Sequence, residues 1–324
     1  MKIGITSTIP VEVIFAAGHT PCDLNNIFIS AADPEYFVRR AEDAGFPRTT
    51  CAWIKGIYGV LLEEEIDTVI IVSGGDCSNS IALGEVLAHD GKRIIPFSYP
   101  LKPNVTGMET AIAKLIRELE TTGDKVAGCK HQLDPIRRKL AELDRLTWHD
   151  NRVSGSENLL HLVSSSDFNG NTKLFSTNLD EFMAQAIKRQ PGNHKIRLGI
   201  AGVPPIISNL FAVIEELGAA VVFNEVPRQF SLPWGPQSTI AEQYTRYTYP
   251  YQVERRLDDI SKHCTERRID GLIHYTQTFC FRQIEDILFK RKLDIPVLSL
   301  EADQPGPVDG RTLTRIETFI EMLQ

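Results

Sequence analysis

The sequence has no long hydrophobic run. Its longest apolar stretches, such as that around Val69 to Val72, have the length of a strand and fall far short of the ~20 residues that span a bilayer. The opening Met1-Lys2-Ile3-Gly4-Ile5-Thr6 has neither the apolar core nor the small-residue cleavage site of a signal peptide, so the chain is expected in the cytoplasm and away from membrane. Positive charge is not in excess. Lys and Arg number 35 against 42 Asp and Glu, and the net charge of -7 gives no electrostatic reason to expect nucleic acid as a partner. Cysteine is sparse: 6 in 324 residues, none in a CxxC pair. That excludes a disulfide framework and leaves thiols that are free or ligating. The fingerprints GxGxxG and GxxxxGK[ST] are both missing; Gly74-Gly75 permits close backbone approach but makes no nucleotide site.

What is present is a pattern of alternating strands and helices. The length of 324 residues exceeds what one core usually serves, and 42% hydrophobic content is ordinary for a globular chain. Segments 2–6, 67–73 and 93–97 read as strands, with 10–17, 35–44, 53–65 and 78–89 as helices. The β-branched run 67–73 is what a strand buried on both faces requires. Units of this kind give a parallel sheet covered by helices. Helical patterns at 105–120, 134–146 and 179–188 have no strong strand between them. A second alternating set starts near Lys195, with strands at 196–201, 220–224, 271–275 and 297–300 and helices at 206–217, 255–268, 281–291 and 311–322. Residues 227–251 read as irregular and aromatic-rich, a candidate dimer face, lid or plain packing. The expectation is an α/β fold with an amino-terminal domain over 1–125, a helical connector over 126–194 and a carboxyl-terminal domain over 195–324.

The cysteines fall at telling places in this pattern. Cys77, in Ser73-Gly74-Gly75-Asp76-Cys77-Ser78-Asn79, lies just past the strand 67–73, and Cys280 lies just past the strand 271–275. Cys51 opens the helix that starts near Trp53. The carboxyl ends of parallel strands are where open α/β sheets bind ligands, and helix N-termini favour a thiolate. Thiolates suit iron–sulfur ligation. The plain alternative for each is a small buried core thiol. Cys129, in a polar connector, and Cys264, within a charged helix, are read as structural; Cys22 reads either way. Glu12 and His19 are candidates for base and acid chemistry, or for an intrahelical salt bridge and a backbone contact. Asp76, Ser78 and Asn79 flank Cys77 as cluster neighbours or helix caps. His274 and Gln277 follow a buried strand and are candidates to line the same cleft.

Several motifs together resemble the 2-hydroxyacyl-CoA dehydratase / benzoyl-CoA reductase family. The start, Ile9-Pro10-Val11-Glu12 through Ala17-Gly18-His19-Thr20-Pro21, is similar to that family's opening helix and turn. Cys51-Ala52-Trp53-Ile54-Lys55-Gly56 looks like its first cluster cysteine, most closely in the branch of double-cubane cluster proteins. Asp76-Cys77 falls at the second, and Asp270-Gly271-Leu272-Ile273 followed by Cys280 at the third. Ile295-Pro296-Val297-Leu298, Asp303 and Gly310-Arg311-Thr312-Leu313 match its ending. The resemblance implies two Rossmann/flavodoxin-like domains with a 4Fe–4S cluster on Cys51, Cys77 and Cys280 in the cleft, one iron lacking a cysteine. It implies a homodimer or a heterodimer with a related subunit, an ATP-hydrolysing iron–sulfur activator, and low-potential radical chemistry on an acyl-CoA. The alternatives are a double-cubane (8Fe–9S) reductase of a molecule that is not a CoA ester, and a non-catalytic electron-transfer or cluster-maturation partner. Double-cubane members carry further cysteines in the second domain; the stretch Arg246-Tyr247-Thr248-Tyr249-Pro250-Tyr251-Gln252 has none, which favours the single cubane.

Overall fold

In the computed structural model, residues 1–75, 77–234 and 238–324 are described. Among them, the strands form two four-stranded sheets, each parallel throughout. The first holds β1 (Lys2–Ile5), β2 (Thr20–Asp23), β3 (Thr68–Gly74) and β4 (Arg93–Ser98) in the order β2-β1-β3-β4. The second holds β5 (Ile196–Gly202), β6 (Ala219–Asn224), β7 (Gly271–Gln277) and β8 (Val297–Ala302) in the order β6-β5-β7-β8. Both sheets therefore run the same way, and in each the winding reverses between the first and third strands, β1 and β3 in one and β5 and β7 in the other. Ligands of open α/β sheets bind at such a reversal, beyond the carboxyl ends of the strands. The central strands are apolar on both faces, since helices cover both: Val69, Ile70, Ile71 and Val72 are all buried, as is every residue of β7.

Helices Val105–Glu118, Gly123–Trp148, Gly155–Val163 and Thr172–Ala186 separate the sheets in sequence. The expected helix at 134–146 belongs to the 26-residue helix Gly123–Trp148, which continues through Pro135. At 1.5 Å per residue it is about 39 Å long, enough to reach both halves. It grips each with a buried ion pair. Arg137 meets Glu12 of the first half at 2.7 Å, and Asp144 meets Arg267 of the second at 2.5 Å.

The aromatic stretch read as irregular contains a helix, Ile240–Thr245, opened by a capping box between Thr239 and Glu242. It crosses back to the first half. Tyr244 and Gln243 donate to Glu12 at 2.8 and 3.1 Å. Tyr244, Tyr247, Tyr249 and Tyr251 share one apolar core with Ile70, Val72 and Phe97 of the first sheet. Their area is spent on packing between halves. A second core joins Ile71 and Leu87 to Ile200 and Tyr275.

Candidate functional site

The first-half helix Ala52–Glu63 carries Cys51 as its N-cap. Why it sits here is legible in its small residues. A Cβ on Gly59 would lie 2.2 Å from the carbonyl oxygen of Phe37, so glycine alone lets the helix Pro34–Asp43 pack this close. The buried Lys55 closes the same contact, donating to Glu42 at 2.7 Å and to the Arg48 carbonyl at 3.1 Å. Cys51 is thus fixed at the end of a rigid element rather than on a loop. No capping hydrogen bond is made by its side chain, and the N–H groups of Trp53 and Ile54 at the helix start favour its thiolate form.

Cys77 follows β3 through a turn at Gly75, whose φ of +91° suits glycine. A Cβ there would approach Pro250 and Tyr99 to 2.9 Å, so the turn is pressed against the aromatic segment of the second half. Cys280 follows β7 and caps the short helical turn Phe281–Glu285. The residue before it, Phe279, holds a φ of +64°, a left-handed conformation that costs an aromatic residue energy. Two residues on, the buried Arg282 ties this loop down. It donates to Glu285 and to the Tyr249 carbonyl, each at 2.9 Å, and its guanidinium lies 4.0 Å above the Tyr249 ring. Behind it, Arg256 is buried between Glu225 and Glu285, and Glu225 also accepts the Gly202 N–H at 2.9 Å.

These arrangements deliver Cys51, Cys77 and Cys280 to one cavity of about 930 Å³ between the carboxyl ends of the two sheets. Segments following β1 (Thr6 to Thr8), β5 (Val203 to Pro205) and β7 (Gln277 to Arg282) line it together. The thiols are near enough to feel one another. Burial first pushes the Cys51 thiol up to about 12, the helix N–H groups pull it down, and charge on Cys280 and Cys77 raises it again. Three thiolates at a buried place repel unless a cation offsets them, which is what an iron–sulfur core does. Among the described residues, no three His, Cys, Asp or Glu side chains are grouped to hold one metal ion. A cluster asks for something else: thiolates on separate irons around a body with its own volume. Three cysteines facing one cavity from three chain segments fit that donor set.

The other sequence candidates divide. Gln277 lines the cavity, with its amide bound to the Asp303 carbonyl at 2.8 Å and its oxygen accepting from Tyr275 at 3.3 Å. Glu12 does not face the cavity. It is fully buried among Arg137, Gln243 and Tyr244, so the expected base is an interdomain ion-pair partner, and its salt bridge crosses the fold rather than running within its helix. His19 lies before β2, at the amino edge of the sheet. Four residues at about 3.3 Å each separate that edge from the carboxyl end, too far for proton transfer at the thiols.

Four further candidates are displaced. His274 points to the other face of β7, stacked on Phe289 at 4.0 Å with Nδ1 3.0 Å from Asp286; burial lowers its pKa. Cys22 packs in the apolar core, its thiol pushed up to about 11 by burial. Ser78 and Asn79 are exposed and do not line the cavity. Ser78 takes the N-cap position without a capping hydrogen bond, while the next residue inward, Ser80, does line it. Asp76 lies outside the described residues.

Among the cavity residues that residue-by-residue reading missed are Thr8, Asp23, Trp53 and Arg282. Asp23 is the one with a signal, because it ends β2 and caps the helix Leu24–Ile29. It lies beside a second buried carboxylate, Asp167, which accepts the Asp23 N–H at 2.7 Å. Burial and the charge of Asp23 push Asp167 up to about 7.

No match is found among the curated proteins. Among solved structures, the SBP FpvC in complex with a Ni2+ ion from P. aeruginosa aligns with 100% of this chain and 97% of its own, at 14% identity. The TM-score is 0.24, a likeness that carries no argument. No helix among the described residues is long and apolar enough to cross a membrane. The family model described as 2-hydroxyglutaryl-CoA dehydratase, D-component, matches residues 6–323, all but the ends of the chain. With two parallel sheets facing a shared cavity, the chain belongs to that dehydratase D-component family.

Proposed function

We propose that this chain is an iron–sulfur subunit in which Cys51, Cys77 and Cys280 hold a 4Fe–4S cluster for activator-dependent reduction of a small molecule in the cavity. The observation that carries this reading is the arrival of three thiols, from both halves of the chain, at one cavity beyond the strand ends. When bound, such a cluster supplies single electrons at low potential and, at the iron without a cysteine, a Lewis-acid position.

The chain's own residues do the rest. Ile54, Ile57 and Val226 present an apolar wall that limits water. Gln277, held by Asp303 and Tyr275, offers a fixed polar edge next to the Cys280 loop. Arg282, held by Glu285 and Tyr249, keeps that loop in place rather than reaching for substrate. A single cubane is favoured over the double-cubane form because Cys22, Cys129 and Cys264 lie outside the cavity lining. A cavity of about 930 Å³ beside the thiols favours a substrate-using enzyme over a pure electron carrier. The family description names one component of a dehydratase, which supports a partner subunit; the ATP-hydrolysing iron–sulfur activator belongs to the proposal through the sequence resemblance.

The test is iron and acid-labile sulfide per chain on anaerobically purified protein, with EPR after dithionite reduction. About four irons are expected for a single cubane and about eight for a double one. Cys51→Ser, Cys77→Ser and Cys280→Ser should each lose most of the iron, whereas Cys129→Ser should keep it. Full iron in all three ligand variants would sink the reading.

A further inference from the structure

We propose that two copies of this chain pair about a two-fold axis, the helix Asn79–His89 of one lying on the segment 279–291 of the other, next to the loops that carry Cys77 and Cys280. The pairing goes beyond the cluster reading. It is argued from exposure and charge, which hold whether or not iron is bound.

Tyr244, Tyr247, Tyr249 and Tyr251 are consumed inside the fold, so they offer no face to another chain. The segment around Cys280 does. Phe279 is 53% exposed, Phe281 48%, Ile284 73% and Ile287 50%. Phe281, Ile284 and Ile287 recur every three residues through the turn Phe281–Glu285 and the helix Asp286–Lys292, which sets them on one side. Large apolar side chains gathered in one place mark an interaction surface, whereas scattered ones need no explanation. This surface is preformed, because Arg282 locks its loop to Glu285 and to the Tyr249 carbonyl.

A second apolar face follows Cys77. The helix Asn79–His89 buries Leu83, Gly84 and Leu87 but exposes Ile81, Ala82 and Val86, so it is apolar toward solvent as well as toward the core. A helix apolar on both sides calls for cover on both. The two faces start from neighbouring loops: a Cβ on Gly75 would approach Pro250 to 2.9 Å, and Arg282 donates to the carbonyl of Tyr249, the residue before it. Their charges are opposite. Glu85 stands among the exposed residues of the first face, and Arg291 lies one turn beyond Ile287 on the second. Both are exposed, and among the described residues neither has an ion pair. Like face on like face would set Glu85 against Glu85 and Arg291 against Arg291. The crossed arrangement sets each against its opposite, and two-fold symmetry supplies that contact twice. A second copy therefore fits both faces. Phe281 also lines the cavity, so the paired copy stands at the cavity mouth.

The experiment is sedimentation velocity of the anaerobically purified full chain over a dilution series at low salt, with circular dichroism as the check on folding. The chain alone is expected to form a dimer. Ile81→Asp and Ile284→Asp should each leave a folded monomer. Leu174→Asp, at a comparably exposed apolar site on the helix Thr172–Ala186, should leave the dimer intact. Glu85→Arg and Arg291→Glu should each weaken the dimer at least about tenfold, and the double variant should recover most of that loss. A native chain that stays monomeric up to its solubility limit would overturn the proposal and give both faces to an unlike component. A dimer that survives Ile81→Asp or Ile284→Asp at native strength, or charge reversals that fail to compensate, would overturn it as well. Iron is assayed on the same samples. A dimer without iron would strike the cluster reading alone, and an iron-loaded monomer would strike the pairing alone.

Discussion

Asp167 shows how a single carboxyl can be tied to the pH response of the whole chain. Its folded pKa of about 7 lies above the ordinary carboxylate value, first because it is buried and then because Asp23 faces it. The folded state therefore holds that proton more tightly than the unfolded one. Its contribution is most favourable at low pH, declines as pH rises through the carboxylate range, and reaches its full penalty above about 7. Asp167→Asn removes the titration. Relative to the native protein, the variant should gain stability between pH 4.5 and pH 8, read as the change in melting-temperature difference between the two. A difference that stays constant or moves the other way would show that Asp167 does not carry the proton. The cysteines were legible at this scale because strand ends and helix starts mark their places in the sequence. Glu12 and His19 were not. Which way Glu12 points is decided by Arg137 and Tyr244, more than a hundred residues away, and nothing local announces them.

The elements carry the site by close contacts that leave little slack. Gly59→Ala would gain about 1 kcal/mol of helix propensity. It would also force a Cβ to within 2.2 Å of the Phe37 carbonyl, a backbone atom that cannot swing aside. Overpacking of this kind costs typically 1–3 kcal/mol, so a net loss is expected in urea melts, with iron content falling as the Cys51 helix shifts. Glu12→Gln is the second case. It leaves Arg137 buried with its principal counter-ion neutralised, an arrangement that costs about 3 kcal/mol or more. The loss should appear as a lower unfolding midpoint together with faster proteolysis between residues 238 and 252, because Tyr244 and Gln243 then share one acceptor oxygen where they had two. Unchanged proteolysis would mean that the aromatic packing holds this segment by itself. The helix Ile240–Thr245 had a readable start, since Thr239 and Glu242 form a capping box. Its short length and the aromatic residues after it hid the signal.

For the molecule as a whole, the parallel sheets were the clearest thing in the sequence, because strands buried on both faces cannot alternate and so betray themselves as apolar runs. The closeness of the two halves was not legible. It depends on one long helix with an ion pair to each half and on tyrosines inserted into the first core. Because the proposed cluster ligands come from both halves, iron binding should stabilise the folded chain. Removing it anaerobically with a chelator should lower the melting temperature by about 5 °C or more. An identical melting temperature with and without iron would mean that the cysteines do not bridge the halves through a shared group.

The placement of these thiols along the chain also sets a timetable for synthesis. Cys51 and Cys77 leave the ribosome with the first sheet, and Cys280 follows about two hundred residues later. At roughly 5–20 residues per second, that is an interval on the order of ten seconds or more. For that time the amino-terminal half presents Cys51 and Cys77 without Cys280. Loading of the proposed cluster is therefore a late event, and a ribosome stalled before Cys280 would leave a product without the third proposed ligand.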